Sequence, residues 1–369
     1  MRRISILLFT LITFLVAAAW PQSDAPKKEP TIITFDPPGS VLTSSQDINP
    51  AGAITGWFFD ASNKVHGFLR AKDGTFVTFD SPNAGIGAFQ GTVPYSINPA
   101  GAITGWVASN SGAHSYVRAP DGTFTTFDVP GGLATQALNI NPQGAIAGQF
   151  LDPLNYVFHV FLRAKDGTFT TFEAPGAGTG VGQGTQPATI DGLNPEGAVA
   201  VAYVNTGSFF SGTQVLHGAV RAPDGTFTEF DVPGAGTGPG QGTNPSGINP
   251  AGTIPGFYID SSGVNHGFVR AKDGTITTVD VPGAGTGAGQ GTVVASINAP
   301  GNFDGWYIDG SGVAHGFLRS KQGDITTFDV PGAGTASGQG TFPIQNNPAD
   351  AITGNYIDAS GVLHGFLRK

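Results

Sequence analysis

The 369-residue chain has no cysteine and one methionine, Met1. Without cysteine there is no disulfide framework, no thiolate metal site and no cysteine-borne lipid anchor, so stability must come from packing and strand pairing. Charge is scarce as well: Asp, Glu, Lys and Arg make up 12% of the residues. The 17 Lys and Arg stand against 26 Asp and Glu, for a net charge of −9, and no basic patch occurs. That balance excludes a nucleic-acid partner. Low charge with 39% hydrophobic residues also argues against disorder, because such a chain can bury a core. Beyond the first residues there is neither a helical periodicity nor a long apolar run, which points to an all-β protein.

The first residues have the marks of a secretory signal. Arg2 and Arg3 precede a largely apolar run from Ile4 to Val16, followed by Ala17-Ala18-Ala19. The run is shorter than the roughly 20 residues of a spanning helix, so cleavage after Ala19 is expected and no membrane span remains. This divides the chain into a signal peptide at 1–19, a polar linker at 20–30 and a domain at 31–369, with a secreted or periplasmic location.

What is abundant is repetition. INPAGAITGWFFD at 48–60 returns as INPAGAITGWVAS at 97–109 and INPQGAIAGQFLD at 140–152. Four further copies begin at residues 193, 248, 297 and 346, giving seven in all. The spacings of 49, 43, 53, 55, 49 and 49 residues are close to the length of one propeller blade. Each unit reads as four strands. Strand A ends in Ile-Asn before an Asn-Pro-x-Gly turn, B resembles AITGWFFD, C resembles HGFLR and D resembles GTFTTFD. Lys-Asp-Gly or Pro-Asp-Gly between C and D marks a three-residue hairpin loop with Gly in the left-handed region. Strands A to C occur seven times after residue 40, but D only six times, because the chain ends at Lys369 just after the last C. The missing D is TIITFD at 31–36. The expectation is a seven-bladed β-propeller of four-stranded blades, with its last blade completed by the N-terminal strand and no exposed terminal edge.

All seven histidines open a C strand, and every arginine after the signal lies four residues beyond one of them. Counting back across the hairpin sets His66 opposite Asp80, His114 opposite Asp128, His159 opposite Glu173 and His217 opposite Asp231. It likewise sets His266 opposite Asp280, His315 opposite Asp329, and His364 opposite Asp36 of the N-terminal strand. One imidazole and one acid per unit supply too few ligands for a metal, so these read as structural pairs that lock each blade.

A set of repeated units with no histidine outside the pattern offers no catalytic constellation, and neither a cofactor nor a metal is expected. The glycine runs, such as Gly234 to Gly242, alternate strictly and miss the GxGxxG spacing, so they read as flexible connections between blades. Asp60, Asp152, Asp260, Asp309 and Asp358 end B strands, but without the ligand ladder of a calcium loop. Ligand contacts are expected on the rim of long B–C and D–A loops and in the central funnel. The candidates are Asp47, Tyr95, Asn139, Asp191, Phe209, Phe210 and Gln345. Trp57, Trp106 and Trp306 share one B-strand position and read as packing between blades. Of the acids outside the pattern, Asp47, Asp191, Glu196, Asp304 and Asp350, only Asp47 and Asp191 fall near inner strands, three units apart.

The units resemble the extracellular HAF repeats through Ile-Asn-x-x-Gly before strand B, Gly-Trp or Gly-x-Tyr within it, and His-Gly-Phe-Leu at the start of C. The resemblance covers nearly all of 31–369. It departs in having Gly67, Gly218, Gly267, Gly316 and Gly365 where that family has Ala, and Arg where Trp is common. It implies secretion and a propeller-like fold, and no reaction. The functional expectation is a monomeric, non-enzymatic module binding an extracellular glycan, polymer or protein. The alternative is a polysaccharide hydrolase or lyase acting at the funnel.

Overall fold

The computed structural model describes residues 30–189 and 191–369; the signal at 1–19 and all of the linker but Pro30 lie outside the described residues. Thr31–Lys369 is one compact unit. It holds 28 strands, one short 3-10 turn at Phe209–Ser211, and no α-helix among the described residues. No helix of the described residues is long and apolar enough to cross a membrane.

Unit one shows the local logic. Its A strand, Leu42–Ile48, pairs antiparallel with B, Ile54–Phe59, which pairs with C, Val65–Arg70, which pairs with D, Phe76–Phe79. The Asp-Gly hairpin closes as its residue types require. Ala71 N donates to Thr75 O at 2.8 Å, Asp73 Oδ1 accepts from Thr75 N, and Gly74 takes φ 97°. C and D cross closely at Gly67, where a Cβ would stand 2.5 Å from the Phe79 ring and 2.9 Å from Pro94 of the next unit. That crowding is a physical reason for the glycine in His-Gly-Phe. Alternate residues of A, B and C face the neighbouring unit, so Ile54 and Phe68 are completely buried.

Inner strand A carries a bulge in five units. In unit one the pairing register slips between Ser45 and Asp47, in unit two between Pro94 and Ser96, and in unit seven between Pro343 and Gln345. The extra residues, Gln46, Tyr95 and Ile344, are thereby re-aimed and line one central cavity.

The two ends of the domain meet. Ile32–Phe35 pairs with Leu363–Arg368, and Thr31 and Lys369 exchange backbone hydrogen bonds of 3.0 and 2.9 Å. Phe35, Ile48, Phe68 and Leu367 share one core cluster. The Asn of each Asn-Pro turn ties unit to unit: Asn49 Nδ2 donates to Asn98 O, Asn98 to Asn141 O, Asn141 to Asn194 O and Asn194 to Asn249 O. Asn249 continues to Asn298 O, Asn298 to Asn347 O, and Asn347 returns to Asn49 O at 3.2 Å. Each Oδ1 caps its own turn, as Asn49 Oδ1 does for Ala53 N at 3.0 Å. The arginines add a second tie. Arg118 stacks over Phe79 of the preceding unit at 4.7 Å, and Arg70 over Phe35 of the N-terminal strand at 5.0 Å. Arg319 stacks on Phe303 of its own unit at 5.1 Å, because Val279 replaces the preceding phenylalanine.

Candidate functional site

Three places hold chemistry. The first is the outer edge, where C meets D. His66 Nδ1 lies 3.0 Å from Asp80 Oδ2, His114 Nδ1 2.9 Å from Asp128, and His217 Nδ1 2.9 Å from Asp231. His266, His315 and His364 stand 3.0, 2.9 and 2.8 Å from Asp280, Asp329 and Asp36, and His159 contacts Glu173. Sequence reading missed the other face of each ring. In six units the imidazole stacks on a strand-B aromatic, as His66 does on Phe58 at 5.1 Å and His364 on Tyr356 at 5.0 Å. In five units Nε2 also faces the acid ending strand B, at 3.2 Å for Asp60 and 3.5 Å for Asp309. That acid caps the B–C turn: Asp309 Oδ1 accepts from Ser311 N and Val313 N. The Val313 amide bond is the largest influence holding the Asp309 carboxyl below the usual range.

The second place is the centre. One cavity of about 160 Å³ is ringed by the seven asparagines that tie unit to unit. A second, of about 210 Å³, is lined by Gln46, Asp47, Tyr95, Ser96, Thr189, Asp191, Ile344 and Gln345. Asp47, Asp191 and Gln345 line both. The two acids come from units three apart, yet the narrow centre makes them neighbours across it. Asp47 Oδ2 accepts from Ser96 Oγ at 3.0 Å and from Ile97 N at 2.7 Å. Burial, and next the Asp191 charge, push Asp47 up to about 7. Burial also raises Asp191, whose Oδ2 accepts from Gln345 Nε2. Burial raises the Tyr95 hydroxyl as well.

Two expectations need correction here. Asn139 does not face the centre: its Nδ2 donates to Ala188 O at 2.9 Å and its Oδ1 accepts from Gly192 N at 2.8 Å, so it is spent tying unit three to unit four. Asp304 was set apart from the inner strands, yet it is fully buried, accepts from Ser296 Oγ of its own inner strand, and is pushed up to about 7 by burial. A polar residue on strand B opposite Ser296 was the available signal, since cross-strand partners touch. Glu196 is exposed, and Asp350 accepts from Asn298 Nδ2 at 2.8 Å.

The third place is a groove of about 260 Å³ between strands A and B of units four to six, edged by Phe209 and Gln214 of the unit-four B–C loop on the rim of B–C and D–A loops. Phe209, Phe257 and Trp306 give it aromatic walls, and Gln186, Gln214, Asn244 and Ser246 give it amides and a hydroxyl; no charged residue lines it. Ala202 occupies the position held by Phe257 and Trp306 in units five and six, and the smaller side chain opens the space. Gln214 Oε1 is buried without a hydrogen-bond partner. Trp306 also packs on Phe342 of the next unit, with ring centroids 5.9 Å apart, so it both packs and lines the groove. Phe209 and Phe210 both meet Phe158, at 5.4 and 5.3 Å, but only Phe209 lines the groove and Phe210 is 55% exposed.

The glycine-rich loops of this rim are not flexible connections, as the sequence suggested, but latched turns. Gln183 Oε1 accepts from Gly180 N at 2.9 Å while its Nε2 donates to Asn205 O and Gly207 O at 3.1 Å. Gln241 and Gln290 repeat the pattern, joining each D–A loop to a B–C loop.

No family model matches the chain, and no curated protein does. Solved structures do. Virginiamycin B lyase from Staphylococcus aureus, as a catalytically inactive His-to-Ala variant with quinupristin, aligns with TM-score 0.56 at 15% identity, over 92% of this chain and 100% of that one. A prolyl endopeptidase aligns with TM-score 0.56 at 12% identity, over 89% of this chain and 50% of that one. The β-propeller domain of the trilobed protease from Pyrococcus furiosus aligns with TM-score 0.51 at 9% identity, over 89% of this chain and 94% of that one. Likeness at such low identity defines a fold, and the fold is a β-propeller.

Proposed function

We propose that this protein is an exported, monomeric, seven-bladed propeller of HAF-repeat type that binds a neutral, hydroxyl-rich polymer, a glycan, without transforming it. The blade count and the closing of the last blade by the N-terminal strand are supported by the returning Asn49-to-Asn347 hydrogen-bond circuit and by Arg70 on Phe35. The observation that carries the ligand class is the groove: three aromatic walls, several amides, a buried unpaired Gln214 Oε1 and no charge. Sugar rings offer apolar faces to stack on aromatics and hydroxyls to donate to amide oxygens.

A lyase or hydrolase reading has one specific observation in its favour, the shared cavity of Asp47 and Asp191. One fact weighs against it. The lyase neighbour is inactivated by replacing a histidine, and in this chain every histidine faces an acid on the outer edge and none lines either central cavity.

A polysaccharide binding screen on the residues 20–369 chain, with product analysis of every hit, tests the reading. Trp306→Ala or Phe257→Ala should weaken a hit about tenfold or more, with Asp191→Asn leaving it unchanged. Turnover that disappears with Asp47→Asn or Asp191→Asn would replace this reading with the enzymatic one.

A further inference from the structure

We propose that the central cavity is a binding site for one hard divalent cation of the calcium class, held by the carboxylates of Asp47 and Asp191 and by Gln345 Oε1. Asp47 and Asp191 line the same two cavities, and no Lys, Arg or His lines either one. Asp47 is 7% exposed, and its Oδ2 takes one N–H and one O–H, which suits an ionised oxygen. Asp47 is buried and Asp191 half-buried, and two like charges facing one cavity whose lining holds no counter-charge are costly, a cost that a bound cation offsets.

A proton shared by the two acids would do this, but Gln345 favours a cation. Gln345 is 4% exposed, and its Nε2 donates to Asp191. That bond fixes the amide, because the opposite orientation would set oxygen against carboxylate. Its Oε1 is buried with no partner, in a side chain that lines both cavities. A proton between the acids leaves this oxygen unserved, whereas a cation serves all three groups. Among the described residues no three acids, imidazoles or thiols converge on one point, and here the third donor is an amide oxygen. Oxygen donors without nitrogen or sulfur select a hard ion, and an irregular shell completed by water suits calcium better than magnesium. The three donors come from units one, four and seven, so a bound ion would brace the centre. None of the three donors lines the groove, although Thr189 lines both spaces, and either site can fail without the other.

The test uses the residues 20–369 chain, stripped with chelator and titrated with calcium chloride near pH 8. One equivalent should bind, and the melting temperature should rise by several degrees. Asp47→Asn and Asp191→Asn should each lower calcium affinity at least tenfold, and Gln345→Glu, which adds a charged donor, should raise it. Terbium emission sensitised by tyrosine should fall by more than half in Tyr95→Phe, since Tyr95 lines the cavity. The proposal is overturned if the wild-type chain shows neither heat nor stabilisation with calcium. It is also overturned if affinity is unchanged in both Asp→Asn variants, or in Gln345→Glu should those not fold, or if terbium emission is indifferent to Tyr95→Phe.

Discussion

The acids of the outer edge and the acids of the centre live in opposite surroundings. At the edge, Asp309 and Asp358 accept two backbone amides each, face an imidazole, and are held below the usual carboxyl range. At the centre, Asp47 and Asp304 are buried, and burial outweighs their hydrogen bonds and pushes both up to about 7. Asp304 Oδ2 is buried with no partner at all. The edge acids recur with the repeat and are satisfied by it. The central acids occur singly, at positions that the other units fill with other residues. Function in a repeat protein is sought where side chains depart from the pattern at a cost, because the pattern already explains the rest.

The comparison breaks most severely if the pairing of the domain's two ends is removed. Deleting residues 31–37 removes the strand paired with Leu363–Arg368, the buried Phe35, the Arg70 stack and the Asp36 partner of His364. A loss of about 5 kcal/mol or more is expected, read as a drop in melting temperature beyond 10 °C or as failure to fold. A deletion variant melting like its parent would remove the case for closure.

Asp304→Asn comes next in size and has the opposite sign. A carboxyl raised from 3.8 to about 7 by folding favours the fold fully below pH 4 and loses that contribution as pH rises through 7. At pH 8 in chelator the Asn variant should therefore be more stable than wild type, by about 2–4 kcal/mol. At pH 4 the gap should close. The edge acids act the other way, since a depressed carboxyl contributes stability that is lost as pH falls. Asp309→Asn should thus be neutral at low pH and destabilising at pH 8. Melting curves of both variants between pH 4 and 8 would show whether the two populations really differ.

Most of the architecture was legible because it depends on local chemistry repeated many times. The Asp-Gly turns fix the hairpin register, and the register sets His66 across from Asp80. The displaced D strand was visible as a count, six copies after residue 40 and one at 31–36. What stayed hidden depends on several units at once. Asn49 reads as turn chemistry, and nothing in Asn-Pro-Ala-Gly says that its Nδ2 reaches the next unit. The inner-strand bulge, which aims Tyr95 at the centre and leaves Asn139 tied to its neighbour, has no residue signature of its own. The closeness of Asp47 and Asp191 depends on how narrow the centre is, and sequence separation carries no such length. The groove exists because Ala202 is small where Phe257 and Trp306 are large, a difference that gains meaning only once those positions are adjacent.

The smallest effect belongs to a single edge histidine, and it bears on whether those pairs hold the blades together. His364 joins Asp36 at 2.8 Å, approaches Asp358 at 3.5 Å and stacks on Tyr356. Its partners are partly solvated, so His364→Ala should cost about 1–2 kcal/mol. His217 sharpens the point, because it faces Asp231 with no second acid at Nε2 among the contacts of its unit. The hydrogen bond to Asp231 raises its pKa. A raised imidazole contributes stability that is fully present below its unfolded value of about 6.5 and is lost as pH rises through the folded value. His217→Ala should therefore lower the melting temperature more at pH 6 than at pH 8.5. If both histidine variants melt like wild type at both pH values, the edge pairs are ornaments of the hairpin, and the blades are held by the Asn circuit and the Arg–Phe stacks alone.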